Sequence, residues 1–121
     1  MTPSSARENI AVVDRSGFLL AFVRNDNAFL AAIEVAIKKA RTVAIFNGGR
    51  TSEALQALVQ PGAALYGIEQ TNGGLVAFGG GLPIYINGAF VGAVGVSGGT
   101  TAQDIEVATA GIQAVGKTTQ S

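Results

Sequence analysis

The sequence predicts an α/β domain built on one antiparallel sheet with helices on both faces, and three observations carry that prediction. Ala89–Val115 runs from an unbroken apolar strand through Ser97-Gly98-Gly99 into an amphipathic helix. Phe90, Gly92, Val94 and Val96 alternate with Val91, Ala93 and Gly95. Both sets are apolar, so this strand needs cover on each side and belongs in the centre of a sheet. Asn87-Gly88 separates that strand from the apolar run Leu82–Ile86, the pairing expected of a type I′ hairpin turn with positive φ at both positions. Asp14-Arg15-Ser16-Gly17 makes a second turn between Ile10–Val13 and Phe18–Val23.

In chain order, residues 1–9 read as a polar arm, 10–116 as a single domain and 117–121 as a polar tail. Phe18, Leu20 and Phe22 against Leu19, Ala21 and Val23 make the second strand apolar on both faces, which again calls for layers on both sides. Asn25-Asp26-Asn27 offers caps for a helix from Ala28 to Phe46, with Phe29, Ile33, Ala36, Ala40 and Val43 as its buried stripe and Glu34–Lys38 paired on the wet side. Thr51 or Ser52 starts a shorter helix that runs through Val59 and ends at Pro61-Gly62. Leu75–Phe78 is a further strand, giving five strands in all. Thr100 caps the last helix with Gln103 three residues on, and Ile105, Ala108, Ile112 and Val115 form its stripe.

Soluble domains typically carry about 25% charged residues, whereas this chain of 121 residues carries 13% against 48% hydrophobic. A surface so poor in charge is expected to be buried in part within a homo-oligomer. Net charge is zero, and no Lys or Arg occurs from Thr51 to Gly116, so a phosphate-tracking face has almost nothing to be built from and no nucleic acid partner is expected. Cys and His are both absent, which removes disulfides, thiolate chemistry and the usual metal ligands, and no metal is expected. No apolar run reaches the roughly 20 residues of a membrane span. A cytoplasmic protein with no membrane partner is the expectation.

Gly95-Val96-Ser97-Gly98-Gly99 fits G-x-S-x-G between a strand and a helix. A serine nucleophile needs a neighbouring base, and with no histidine the reading is a tight turn. The same turn aims backbone N–H groups as an anion site would, but Asp104 and Glu106 already complement the helix dipole, so capping is the reading. Gly79-Gly80-Gly81 matches no dinucleotide fingerprint; it makes a turn and leaves room for a flat ligand or another backbone. Arg24, Lys39, Arg41 and Arg50 read as solvated or paired surface charges.

Several blocks together resemble the GlcG/HbpS-like haem-degrading family, which also occurs as the C-terminal domain of PduO-type cobalamin adenosyltransferase. They are Ala11-Val-Val-Asp14-x-x-Gly17, Phe22-x-Arg24-x-Asp26, Lys39-Ala40-x-Thr42, Pro61-Gly62-x-x-Leu65-Tyr66-Gly67-Ile68, Asn72-Gly73-Gly74, Phe78-Gly-Gly-Gly81-x-Pro83 and Val91–Gly99. The resemblance implies a profilin-like three-layer α/β/α fold with a five-stranded antiparallel sheet, an oligomer, and a haem or corrinoid-related cofactor. It also implies a long helix before the first strand, which is expected to be missing because only MTPSSARE precedes Asn9. Arg50 is followed directly by Thr51, where the family starts the short helix with Arg-Pro-Thr. No His or Cys is present to ligate haem iron, leaving Met1, Tyr66 and Tyr85.

The functional expectation is a non-catalytic accessory protein that binds a small organic ligand, tetrapyrrole or corrinoid through Tyr66, Asn72, Gly79, Gly80, Ser97 and Thr100. A small lyase or isomerase is the alternative, with Lys39, Asp26 and Glu69 as the available acid–base groups. An oligomeric scaffold or interaction subunit is the third reading.

Overall fold

The computed structural model describes residues 7–115. The tail at 117–121 and most of the N-terminal arm lie outside the described residues. Strands β1 (Asn9–Asp14) and β2 (Leu19–Arg24) are followed by helix α1 (Ala31–Ile45) and 3₁₀ segments at Glu53–Val59 and Ile68–Gln70. Strands β3 (Gly81–Ile86) and β4 (Ala89–Ser97) then lead into helix α2 (Thr101–Val115). The strands form one antiparallel sheet in the order β2-β1-β4-β3. As expected, β4 is interior, paired with β1 on one side and β3 on the other. Asn87 and Gly88 turn the β3–β4 hairpin with φ of 53° and 82°.

Strand alternation sorts the core into two layers. Val13 and Ala93 meet Ala40, Val43 and Ala44 of α1, with Phe90 closing the edge. Val94 and Val96 meet Ala108 and Ile112 of α2, with Ile10, Val12, Leu82 and Ile84 around them. The two helices therefore cover opposite faces in three layers, and Leu55, Val59 and Ala77 form a smaller third cluster with Phe46 and Leu65.

Four strands are present among the described residues, not five. Leu75–Phe78 joins no sheet, because its polar backbone groups bond elsewhere: the Leu75 N–H donates to Glu69 O at 2.8 Å and the Val76 N–H to Thr42 Oγ1 at 3.0 Å. Phe78 O accepts from Ser52 Oγ at 2.7 Å. Helix α1 starts at Ala31 rather than Ala28. Asn25 cannot cap it, since its Oδ1 accepts from the Glu8 N–H, and Asn27 turns the chain with φ of 66°. Phe29 consequently leaves the predicted stripe and is 70% exposed. At the other end of the sheet β2 is an edge strand, so the double cover expected for it is absent: Leu19, Leu20 and Val23 are exposed beside Phe18.

What faces the sheet from α1 is mostly alanine, and this lets helix and strand approach closely. A Cβ at Gly95 would strike the Ala36 carbonyl oxygen and lie 2.6 Å from the Ala40 nitrogen. Backbone cannot yield as a flexible side chain can, so Gly95→Ala is expected to cost about 3 kcal/mol or more through overpacking. Gly111 of α2 has nothing within 4 Å of its Cβ position, so Gly111→Ala should gain about 0.5–1 kcal/mol from helix propensity. Urea unfolding of the two variants checks the opposite signs.

Candidate functional site

Lys39 is fully buried, contrary to its reading as a surface charge. Its side chain points from α1 toward the start of β3, where the glycine run leaves it a passage. A Cβ at Gly80 would lie 2.6 Å from Lys39 Nζ. Through this gap Nζ donates to Val96 O at 2.7 Å and to Asp104 Oδ2 at 2.8 Å, with the Phe78 ring centroid 5.0 Å away. Asp104, itself buried in the first turn of α2, accepts from the Gly99 N–H on its other oxygen at 3.0 Å. One side chain thus joins α1, β4 and α2. Burial lowers the Lys39 pKa from its ordinary value, opposed by the bond to Asp104 and by the charges of Asp104 and Glu8.

Glu8 and Asn9, placed by sequence in the polar arm, are buried in the fold beside this pair. The Glu8 backbone pairs with Asn25, donating to Oδ1 and accepting from the Asn25 N–H, both at 3.0 Å. Its carboxyl Oε1 accepts from the Gly99 N–H at 3.2 Å, so that donor is shared by two carboxyl groups. Glu8 Oε2 and Asn9 Oδ1 are buried without a hydrogen-bond partner, while Asn9 Nδ2 donates to Phe29 O at 3.2 Å. Burial first, then the hydrogen bond and negative charge of Asp104, raise the Glu8 pKa to about 7 against the pull of the Gly99 N–H and Lys39.

Above this polar cluster lies an open cleft of about 380 Å³ lined by Phe29, Leu30, Ala31, Ala32, Val35, Phe78 and the turn Ser97–Gly99. Among the residues named from sequence, Ser97 lines it and Thr100 borders it. Thr100 is occupied as expected, exchanging bonds with Gln103 at 2.9 and 3.1 Å. With the Gly99 and Thr100 N–H groups both taken by side chains, the helix end is self-capped, in keeping with the capping reading. Gly79 and Gly80 are covered by the protein itself: a Cβ on Gly79 would meet Ile105, and one on Gly80 would meet Lys39. Tyr66 is exposed just before the second 3₁₀ segment and Asn72 just after it, with Asn72 O accepting from Arg41. Asp26 is exposed in the turn before α1 and Glu69 lies in the second 3₁₀ segment, so the three acid–base candidates occupy three different elements. Sequence reasoning missed Glu8, Asn9 and the apolar wall Phe29–Leu30; no local pattern distinguishes them from an arm and a helix start. A second cavity, about 650 Å³, opens at Arg15, Ser16, Asn47 and Phe90. Among the described residues no helix is long and apolar enough to cross a membrane.

Residues 3–113 match the model of a family described as "Haem degrading protein HbpS-like". A 15.0 kDa protein of the dhaT-dhaS intergenic region of Citrobacter freundii is 48% identical over 95 residues, covering 78% of this chain and 66% of that protein. The corrinoid adenosyltransferase PduO of the same organism is 38% identical over 107 residues, covering 88% of this chain but 31% of its own length. Among solved structures, a PduOC:haem complex is similar with a TM-score of 0.85 and 36% identity, over 92% of this chain and 80% of that one.

The cluster predicts an asymmetric response to mutation. Lys39→Met leaves Asp104 buried without its cation and should cost about 3–5 kcal/mol, whereas adding Asp104→Leu should recover most of that loss, short of about 1 kcal/mol for the missing cap on Gly99. Thermal and urea melts of the single and double variants measure the coupling.

Proposed function

This chain belongs to the HbpS-like family, and from that membership together with the cleft at Phe29–Val35 we propose a non-catalytic binding module for a small, largely apolar organic ligand of the tetrapyrrole or corrinoid class. The observation that carries the reading is the lining of that cleft, which offers aromatic and aliphatic walls with one hydroxyl, Ser97, and no ionised side chain. The absence of catalysis is supported by the commitment of Lys39 to internal bonds and by its separation from Asp26 and Glu69 along the fold. PduO is matched over 31% of its length, so its transferase activity is not part of this proposal.

An axially ligated haem does not fit the residues present. None of the cleft-lining side chains offers a nitrogen, sulfur or phenolate donor. Tyr85 donates its hydroxyl to Gly48 O at 2.8 Å, Tyr66 lies outside the lining, and Lys39 is held by Asp104. The ring is bound here by its faces and edges, through Phe29, Leu30 and Phe78.

Homo-oligomerisation belongs to the same proposal. Phe18, Leu19, Leu20 and Val23 at the β2 edge are all exposed, and apolar surface left in water costs about 25 cal/mol per Å². A two-fold partner would bury the same patch on both copies.

Metal-free protoporphyrin IX and haemin are expected to bind with similar, modest affinity, because no axial bond distinguishes them. Leu30→Asp, at an exposed position, should weaken both by about tenfold or more without lowering Tm. Fluorescence and Soret titrations measure this. A sharp, saturable haemin band at low-micromolar concentration with no matching affinity for the metal-free ring would contradict the ligation argument, and indifference to Leu30→Asp would contradict the site. In sedimentation equilibrium at low micromolar concentration the chain should exceed its 12.2 kDa monomer mass; a folded, soluble monomer would refute the oligomer.

A further inference from the structure

We propose that Glu8, as an un-ionised carboxylic acid, is a positioning residue of the cleft, donating its proton from Oε2 to an Asp104 oxygen and so fastening the Ser97–Gly99 floor to the wall that begins at Asn25. The proposal rests on the cleft reading for its consequence and on the polar cluster for its geometry. Two carboxyl groups accept from the single Gly99 N–H, at 3.2 and 3.0 Å. The one cation of the cluster, Lys39, is bonded to Asp104 and not to Glu8. Glu8 Oε2 is therefore left buried with nothing to accept from. A buried carboxylate oxygen without a donor is costly, whereas a carboxylic acid oxygen carrying the proton becomes a donor itself, and the Asp104 carboxyl that shares the Gly99 N–H is its neighbour.

The consequence for the cleft follows from what Glu8 holds. Its backbone pairs with Asn25 at the base of the wall, and the next residue, Asn9, bonds to the carbonyl of Phe29, a lining residue. Its side chain holds Gly99, also a lining residue. When the proton leaves to solvent, two adjacent carboxylates face one ammonium, and the contact between floor and wall loosens.

Among the described residues the charged groups around Glu8 are Asp104 from α2 and Lys39 from α1; Asp26 of the neighbouring turn and Glu106 of α2 are exposed, and Arg7 precedes Glu8 in the chain. The sign is that of an acid whose pKa is raised by folding, from 4.5 to about 7. The folded state holds the proton more tightly, so the contribution is complete below about 4.5, is lost as pH climbs to about 7, and changes no further above it. Lys39 loses its own proton with rising pH from a value below 10.5, so a variant silent at position 8 is needed to separate the two.

Heteronuclear NMR of the intact chain from about pH 5.5 to about pH 8.5 tests this, following the Glu8 carboxyl carbon, the Gly99 amide and hydrogen-exchange protection at Gly99 and Asn25. In the wild type the carboxyl and the amide should titrate together with a midpoint near 7, and protection corrected for intrinsic exchange should fall about tenfold across it. Glu8→Gln, whose amide donates to Asp104 and whose carbonyl accepts from Gly99, should show no such transition and keep the low-pH protection throughout. Glu8→Ala should lack both the transition and the protection. A Glu8 midpoint below about 5, or a Gly99 transition unchanged in Glu8→Gln, would overturn the proposal. These signals are read without ligand, so an insensitive Leu30→Asp would remove the binding reading and leave this one standing.

Discussion

A lysine ammonium without solvent contact has to find its partners inside the protein, and the assembly of this fold follows from where Lys39 finds them. Two of its three hydrogens meet a strand carbonyl and a helix carboxylate, so α1, β4 and α2 are tied at one point. Desolvating the two ions offsets most of their attraction, so the pair contributes little net stability. What it contributes is position: α1 cannot slide along the sheet, nor α2 rotate about its axis, without stranding a buried charge.

The glycines of the chain make sense against that constraint. Gly80 leaves the passage through which Lys39 Nζ reaches β4, Gly79 admits Ile105 of α2, and Gly95 lets the backbone of α1 settle on the sheet. Each is a close approach of the protein to itself. The uncharged, glycine-rich half of the chain is thus largely a packing surface, and the space that remains open lies where two longer apolar side chains, Phe29 and Leu30, stand out from an uncapped helix start.

Much of this was legible wherever the determining contacts are local. The Asn87-Gly88 turn, the reciprocal bonds of Thr100 and Gln103, and the Glu34–Lys38 pair at 3.2 Å lie within a few residues of one another in sequence. Three-layer order could be read too, because apolar residues on both faces of β4 demand it. Leu75–Phe78 has the composition of a strand, but its partners are the side chains of Thr42 and Ser52, more than twenty positions away in sequence. Lys39 and Asp104 are 65 residues apart, and Gly99 and Glu8 are 91 apart. No periodicity encodes such pairs, so the buried cluster and the cleft it supports appear only in three dimensions. Residues 72 and 66 carried family blocks, yet the fold sets them on either side of the second 3₁₀ segment and neither lines the cleft that Ser97 does.

The central claim is that a charged Lys39 is sealed inside and held by Asp104. Observation of the Lys39 side-chain nitrogen and its protons by NMR at neutral pH tests it most directly. The account predicts a slowly exchanging ammonium signal that shows contacts to α2 and loses its protection in Asp104→Asn. A lysine signal in fast exchange with water, indifferent to Asp104→Asn, would contradict it.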